Sequence, residues 1–503
     1  MPAVDWNHAL EAVRRRQLAG QALTGVTEDT RRLRPGMVFV ARRGLHTDGH
    51  DLLEAARGLG AVLTVGSRRM PAGGPDVLVA DPAEALALLV SAWHGDPGFR
   101  LRLIGITGTN GKTTAAHLTT AILQAAGCAV GTVGTLGYSF GGSTVPPGHT
   151  TPPPEVLYPL LAEWAALGAT HAVMEVSAQA LTQRRTAACP FAAAALTSFA
   201  RDHGEFYPDQ EAYRAAKLEL FHHLRGAAVL PASGDVGEGD LSLFVEAAAG
   251  APATVFFGGG PEAGAAVWAA RRGPLGLDHT PLTLHLPGEA PQALRLPLPG
   301  EHNVQNAACA AAIAWSLGIP APAIVAGLQQ SAPPAGRALC LQLPERGAWA
   351  VVDYAHNPAA LAAVLRWLRQ AVPGRIHLVL GARGGRDRGK RPLMGAVVAA
   401  LADGAVFTSD RPAEEDPEEG ALPLLRAAQD CGLTAAFVRD RAEAIGLAVS
   451  RLGRGDCVVV CGKGTEPWQG DSPGRDGMDD PAVLEALGAV PLTPAAAGSA
   501  VGR

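Results

Sequence analysis

Short apolar runs bounded by glycine or proline recur along the chain, and stretches with the helical apolar period separate them. Residues 36–41 and 60–65 are such runs, each entered or left through glycine, and they predict strands of a small α/β module over residues 1–97. Asp96-Pro97-Gly98 predicts a turn, and the run 101–106 beyond it predicts the first strand of a second domain, residues 98–331. Within that domain, strand-like runs at 171–176 and 192–199 alternate with Ala/Leu-rich helical stretches, including a helix over 211–221, the habit of βαβ units on a parallel sheet. Pro333-Pro334 breaks the pattern, and residues 332–503 read as a third, doubly wound unit. Its strands are predicted at 349–352, 376–380, 405–408 and 457–460, with helices such as 358–371 between them. The last dozen residues, rich in Ala and Gly, are expected to fray. No internal repeat is visible.

Composition narrows the class. The 503 residues are 48% hydrophobic, which excludes a disordered or collagen-like chain and suits about three domains at roughly 100–200 residues each. The formal charge of −5 comes with scattered rather than clustered basic residues, so no nucleic-acid partner is expected. Seven widely spaced cysteines do not form a disulfide framework and indicate a reducing cytosol. Cys457 and Cys461 fall on one face of a strand and read as buried thiols, because no second Cys/His pair lies near enough in sequence to complete a metal site. Residues Met1 to Trp6 lack a basic flank with an apolar run, and no stretch of eighteen apolar residues occurs, so a cytoplasmic protein without membrane insertion is expected.

The chemistry concentrates after the second domain's first strand, in Thr107-Gly108-Thr109-Asn110-Gly111-Lys112-Thr113-Thr114. Glycines 108 and 111 allow consecutive N–H groups to face one anion, Lys112 adds a point charge, and the helix that follows presents its positive end. Ile106 stands where the generic phosphate-loop pattern has glycine, yet the placement between strand and helix is what binding a nucleotide triphosphate demands. Thr113 is then expected to ligate Mg²⁺. Glu175, at the C-terminal end of an apolar strand, lies at the sheet edge where ligands bind and can reach the same metal. Arg201-Asp202-His203-Gly204 brings His203 to that edge, whereas spacing alone makes Lys217 an ordinary exposed helix lysine.

Together with Asp353-Tyr354-Ala355-His356-Asn357-Pro358, the phosphate-loop string resembles the Mur ligase superfamily of ATP-dependent carboxylate–amine ligases. Met174-Glu175-Val176-Ser177, the run from Gly384 to Gly395, and Gly462-Lys463-Gly464-Thr465-Glu466 resemble its UDP-MurNAc-tripeptide synthetase (MurE) branch. Asp29-Thr30-Arg31, residues 35–41 and Asp48-Gly49 are similar to the family's uridine-binding domain, so the likeness spans about residues 25–470. It implies an N-terminal UDP-sugar domain, a central ATP-binding domain and a C-terminal Rossmann-like domain binding the incoming amino acid. It further implies that Thr113, Glu175, His203 and a carbamylated Lys217 hold magnesium. By the same likeness Thr30, Thr150, Thr151, Ser177, Gln183 and Arg185 contact UDP-MurNAc-L-Ala-D-Glu, and Asn303, Arg337, Asp353 and His356 serve the adenine nucleotide. Carbamylation turns a cation into an anion, which suits a hard metal.

The implied reaction joins a diamino acid to the D-Glu carboxylate through an acyl phosphate, in peptidoglycan precursor synthesis, and the protein is expected to be a monomer. Family members using meso-diaminopimelate carry Asp-Asn-Pro-Arg, whose Arg binds the distal carboxylate; here the string is Asp410-Arg411-Pro412-Ala413. With that fork absent, L-ornithine or L-lysine is the expected amine, its ammonium received by Asp410 or Glu466 beside Gly462, and Arg386 holding the α-carboxylate. Meso-diaminopimelate is the alternative. Ala178-Gln179, Tyr207-Pro208 and Thr465 also depart from the family pattern and admit a diverged paralogue. A folylpolyglutamate-synthetase-like ligase is disfavoured by the 107 residues preceding Gly108, and a non-ligase P-loop ATPase would hydrolyse ATP without need of an amine.

Overall fold

The computed structural model describes residues 23–44, 47–70, 73–222, 224–232, 236–468 and 474–492; the Met1–Trp6 segment and, but for Leu492, the last dozen residues lie outside them. In chain order the first elements are β1 Gly25–Thr27, β2 Met37–Val40, α1 Leu53–Gly58, β3 Leu63–Gly66, β4 Val77–Leu78 and α2 Pro82–Trp93. Then come β5 Arg102–Thr107, α3 Lys112–Ala125, β6 Val130–Gly134, β7 Gly137–Phe140, β8 Ser143–Val145, α4 Pro154–Ala166, β9 His171–Glu175, α5 Ala178–Thr182 and β10 Phe191–Leu196. They are followed by α6 Gln210–His222, β11 Ala227–Pro231, α7 Glu238–Ala247, β12 Ala253–Phe257, β13 Trp268–Arg271, β14 Thr280–His285, β15 Gln292–Leu296, α8 Glu301–Ser316 and α9 Ala321–Gln330. The C-terminal elements are β16 Leu339–Leu343, β17 Ala348–Asp353, α10 Pro358–Ala371, β18 Ile376–Arg383, α11 Lys390–Leu401, β19 Gly404–Asp410 and α12 Pro417–Asp430. They end with β20 Ala435–Phe437, α13 Arg441–Ser450, β21 Cys457–Cys461, α14 Asp480–Ala486 and β22 Val490–Pro491.

Two compact units share these elements. The first holds residues 1–105, 128–194 and 219–226, the second 106–127, 195–218 and 227–503, so β5 and β10 begin in one and end in the other. In the first unit, β1 to β4 pair in sequence order, all parallel. A second sheet there runs β10-β5-β9-β6-β7-β8, with β6 parallel to β9 and the β6-β7-β8 edge antiparallel. In the second unit, β12-β11-β10-β5 and the parallel run β20-β19-β18-β21-β17 are joined by a three-stranded antiparallel sheet, β13-β14-β15, and by antiparallel edge strands β16 and β22. The fold is mixed α/β with parallel sheets, as the alternation of runs predicts.

Period-two alternation places the core on both faces of the C-terminal sheet. Val351, Leu378, Cys457, Val459 and Cys461 pack on one face, and Val352, Val379, Val458 and Val460 on the other. Both cysteines are fully buried, and burial pushes their thiols up. The run 192–199 is shorter as a strand than its apolarity predicts: β10 stops at Leu196, because Thr197 and Ser198 turn their hydroxyls onto the phosphate loop. The antiparallel β13-β14-β15 sheet went unpredicted; β14 alternates buried and half-buried positions. Among the described residues, no helix is long and apolar enough to cross a membrane.

Candidate active site

In the second unit, β5 ends at Thr107 and the chain reverses through Gly108, with φ +146°, and Gly111, with φ +86°, before α3 begins at Lys112. A Cβ on Gly108 would overlap the Thr197 hydroxyl, and one on Gly111 would meet Asn306 Oδ1 at 2.5 Å, so only glycine fits at either place. The loop is pinned from β10's exit. Thr109 N donates to Ser198 O at 2.9 Å, Asn110 N donates to Ser198 Oγ at 2.9 Å, and Thr109 Oγ1 bonds both to Ala200 and to Tyr213 Oη. Lys112 Nζ donates to Gly108 O at 2.7 Å and Thr109 O at 3.1 Å, folded over the anion-binding turn it is expected to serve.

Lys217 departs furthest from the sequence expectation. It is 1% exposed on α6, its Nζ donates to Gly108 O at 2.9 Å, and it lies 4.7 Å from the centre of the Tyr213 ring one turn earlier. Burial, reinforced by the nearby Lys112 charge, pushes its pKa well below the usual lysine value, so the amine is held towards its neutral, nucleophilic form. His203 follows on the loop after β10 with φ +59°, its ring 3.4 Å from Glu205 Oε1. Although burial alone would raise it, hydrogen bonds from His203 and Arg386 hold the Glu205 carboxyl down at about 2.

The C-terminal sheet of the same unit brings several expected nucleotide residues to this loop. Arg337 Nη2 donates to Thr113 Oγ1 at 3.4 Å while its guanidinium lies 4.3 Å from the Tyr354 ring centre. Asp353 accepts from Ala338 N and Ala355 N at 2.8 Å each, shaping the turn that carries His356. Burial pushes the His356 imidazole down to about 4. Asn303 does not touch the loop directly: it accepts from Asn306, whose Oδ1 backs Gly111. Thr114 is buried at the start of α3.

The expected amine-side residues form a second cluster. Arg411 reaches Glu466 Oε2 at 3.2 Å, Tyr354 Oη donates to Glu466 Oε1 at 2.7 Å, and Lys463 Nζ lies 3.5 Å from Asp410. Both carboxylates expected to receive an ammonium are thus already compensated by cations of the chain itself. Gly462, with φ +111°, lies against Asp410 Oδ2, and Pro412 O presses on Gly384. Arg411 and Ala413 both adopt left-handed backbone, at φ +40° and +55°, and Ala413 is exposed. Arg386 pairs with Glu205, at 2.8 Å.

In the first unit, Thr151 Oγ1 donates to Glu175 O at 2.8 Å and accepts from Ser177 N at 3.0 Å; Arg185 donates to Thr151 O at 2.5 Å and, twice, to Gln183 Oε1. Thr135 links Glu175, through N to Oε1 at 2.9 Å, to Thr150, through Oγ1 at 3.4 Å. Five of the six expected sugar-dipeptide residues therefore converge around Glu175, while Thr30 lies in the turn after β1, outside that network. The sequence reading passed over Tyr213, Asn306, Asp202, Asn357 and Lys390, although the last three lie inside strings it singled out.

Residues 106–314 match the Mur ligase middle domain and residues 336–464 the Mur ligase glutamate ligase domain. The chain is 37% identical over 486 residues to the UDP-N-acetylmuramoyl-L-alanyl-D-glutamate–2,6-diaminopimelate ligase of Chlorobaculum tepidum, covering 93% of each, and 36% identical over 461 residues to that of Rhizobium meliloti, covering 90% of this chain and 92% of the other. A solved structure of such a 2,6-diaminopimelate ligase superposes with a TM-score of 0.64 at 28% identity, over 92% of this chain and 94% of the other. A folylpolyglutamate synthase from Mycobacterium tuberculosis, at 20% identity and a TM-score of 0.62, shares the fold. The chain belongs to the Mur ligase family and is a ligase.

Proposed function

We propose that this ligase uses ATP to join a diamino acid to the D-Glu carboxylate of UDP-MurNAc-L-Ala-D-Glu in peptidoglycan precursor synthesis, in the cytoplasm. The observation that carries the reading is the convergence of Lys112 and Lys217 on the carbonyl of Gly108, in a tight glycine turn between β5 and the N-terminus of α3. The amine is 2,6-diaminopimelate, the substrate named for the relatives, rather than the L-ornithine or L-lysine expected from Ala413. One observation keeps the basic amino acids as a second reading: Arg411 is tied to Glu466 and Ala413 offers no guanidinium beside it.

In this mechanism a D-Glu carboxylate oxygen attacks the γ-phosphorus, the bond to the β-bridging oxygen breaks, and ADP leaves. Lys112 moves from the loop carbonyls to the transferring phosphoryl group, where fixed positive charge lowers the barrier most. The amine then attacks the acyl carbon, loses a proton, and expels phosphate. Lys217, whose burial lowers its pKa, is suited in its neutral form to attack carbon dioxide, with loss of one proton, giving a carbamate. By the family resemblance Thr113, Glu175, His203 and that carbamate would hold Mg²⁺, which when bound would neutralise phosphate charge.

The test is ATP-dependent phosphate release with UDP-MurNAc-L-Ala-D-Glu and, separately, meso-diaminopimelate, L-ornithine or L-lysine, with mass spectrometry of the product. A UDP-tripeptide formed with diaminopimelate alone is the expected result. A product with ornithine or lysine alone would make the Arg411–Glu466 pair the determinant, and phosphate release without any amide would replace the reading by an ATPase.

A further inference from the structure

We propose that Asp202 is a positioning residue for ligation: its buried carboxylate locks two loops of the C-terminal sheet onto the phosphate loop. The inference rests on the ligase reading above. Asp202 is 6% exposed. Its Oδ1 accepts from His203 N and from Lys390 Nζ, both at 2.9 Å, and its Oδ2 accepts from Asn357 Nδ2 at 3.1 Å. Asn357, 1% exposed, caps α10 through Ala360 N and forms a reciprocal amide pair with Asn110 of the phosphate loop, at 2.8 and 3.3 Å. Lys390 is the first residue of α11.

The Asp202 carboxylate thus ties its own loop after β10 to the turn after β17 and the start of α11, and Asn357 carries the tie on to the phosphate loop. Such a buried pair adds little net stability, since desolvation offsets attraction, but it fixes geometry closely because its partners are costly to leave unpaired. Close approach is built in beside it. A Cβ on Gly204 would meet the Asp387 carboxyl at 2.8 Å, and one on Gly389 would meet Arg201 at 2.6 Å. Glu205 completes the contact by accepting from Arg386 at 2.8 Å and Asp387 N at 3.2 Å. The mechanism needs the acyl phosphate made at one loop to meet an amine held by the other, and a displacement of about 1 Å there costs about 100-fold in rate.

The experiment compares kcat for amide formation, thermal midpoint and hydrogen exchange in wild type, Asp202→Asn, Lys390→Met, the double variant and Gly204→Ala. The two single variants should each lose about 100-fold in kcat, and the double no more than the worse single. Gly204→Ala, which strains no backbone dihedral, should lose activity in the same sense. Asp202→Asn and Lys390→Met each leave a buried partner unpaired and should lower the thermal midpoint, the double variant less so while its kcat stays as low as the worse single, and exchange quickens at residues 108–111 and 384–391 in Asp202→Asn. Additive losses, unchanged kcat, kcat restored in the double variant together with its midpoint, or unchanged exchange in both segments overturns the proposal. If wild type forms no amide with any amine, the ligase reading fails by itself, and exchange still decides whether Asp202 locks the loops.

Discussion

Glu175 shows how one residue's placement depends on what its neighbours lack. Gly134, at the end of β6, leaves the space its carboxylate fills, because a Cβ there would overlap Glu175 Oε1. Gly134→Ala is therefore expected to turn the carboxylate away and lower kcat about 10- to 100-fold with little change in thermal midpoint; steady-state kinetics beside a melting curve check it. Gly134 gave no signal in the sequence, since its purpose exists only across a strand pair. Lys217 was equally illegible: spacing made it an exposed helix lysine, and only the packing of Tyr213 and the Gly108 carbonyl around it makes it a buried amine. The glycines of the phosphate loop were legible because their conformational demand is local.

Helix starts were legible for a similar reason. Asp81-Pro82, Asn357-Pro358 and Asp416-Pro417 each pair a capping side chain with a proline at the first helical position, and the second of them begins the helix expected over 358–371. The tie between α13 and α14 was not legible. Arg441 and Asp480, both 0% exposed, make a two-pronged ion pair at 2.7 and 2.8 Å, and Trp468 Nε1 donates to the same carboxylate at 3.1 Å. Asp480→Ala strands a guanidinium in the core and should cost about 3–5 kcal/mol, read as a lower denaturant midpoint with unchanged slope.

For the molecule as a whole, burial of neutral histidines sets a pH dependence. Burial pushes His117 and His171 below the ordinary value of 6.5, and His171 Nε2 is buried without a hydrogen-bond partner among the described residues. Their unfolded forms take up protons below pH 6.5 while the folded forms do not, so stability is full above that pH and falls as pH drops through it. Denaturant midpoints at pH 7.5 and 5.5 should differ in that sense, and His117→Asn should reduce the difference. A midpoint that rises on acidification would show that these rings are charged in the folded protein.

The sequence by itself determined the alternation of strands and helices, the phosphate loop and the family, because each rests on patterns within a few residues or on strings long enough to be specific. Tertiary structure alone decided that Lys217 is buried, that β10 yields its last residues to the phosphate loop, that Arg411 neutralises Glu466, and that Asp202 gathers Asn357 and Lys390. These depend on residues brought together from more than 150 positions away in the case of Asp202, and no local period encodes such a meeting.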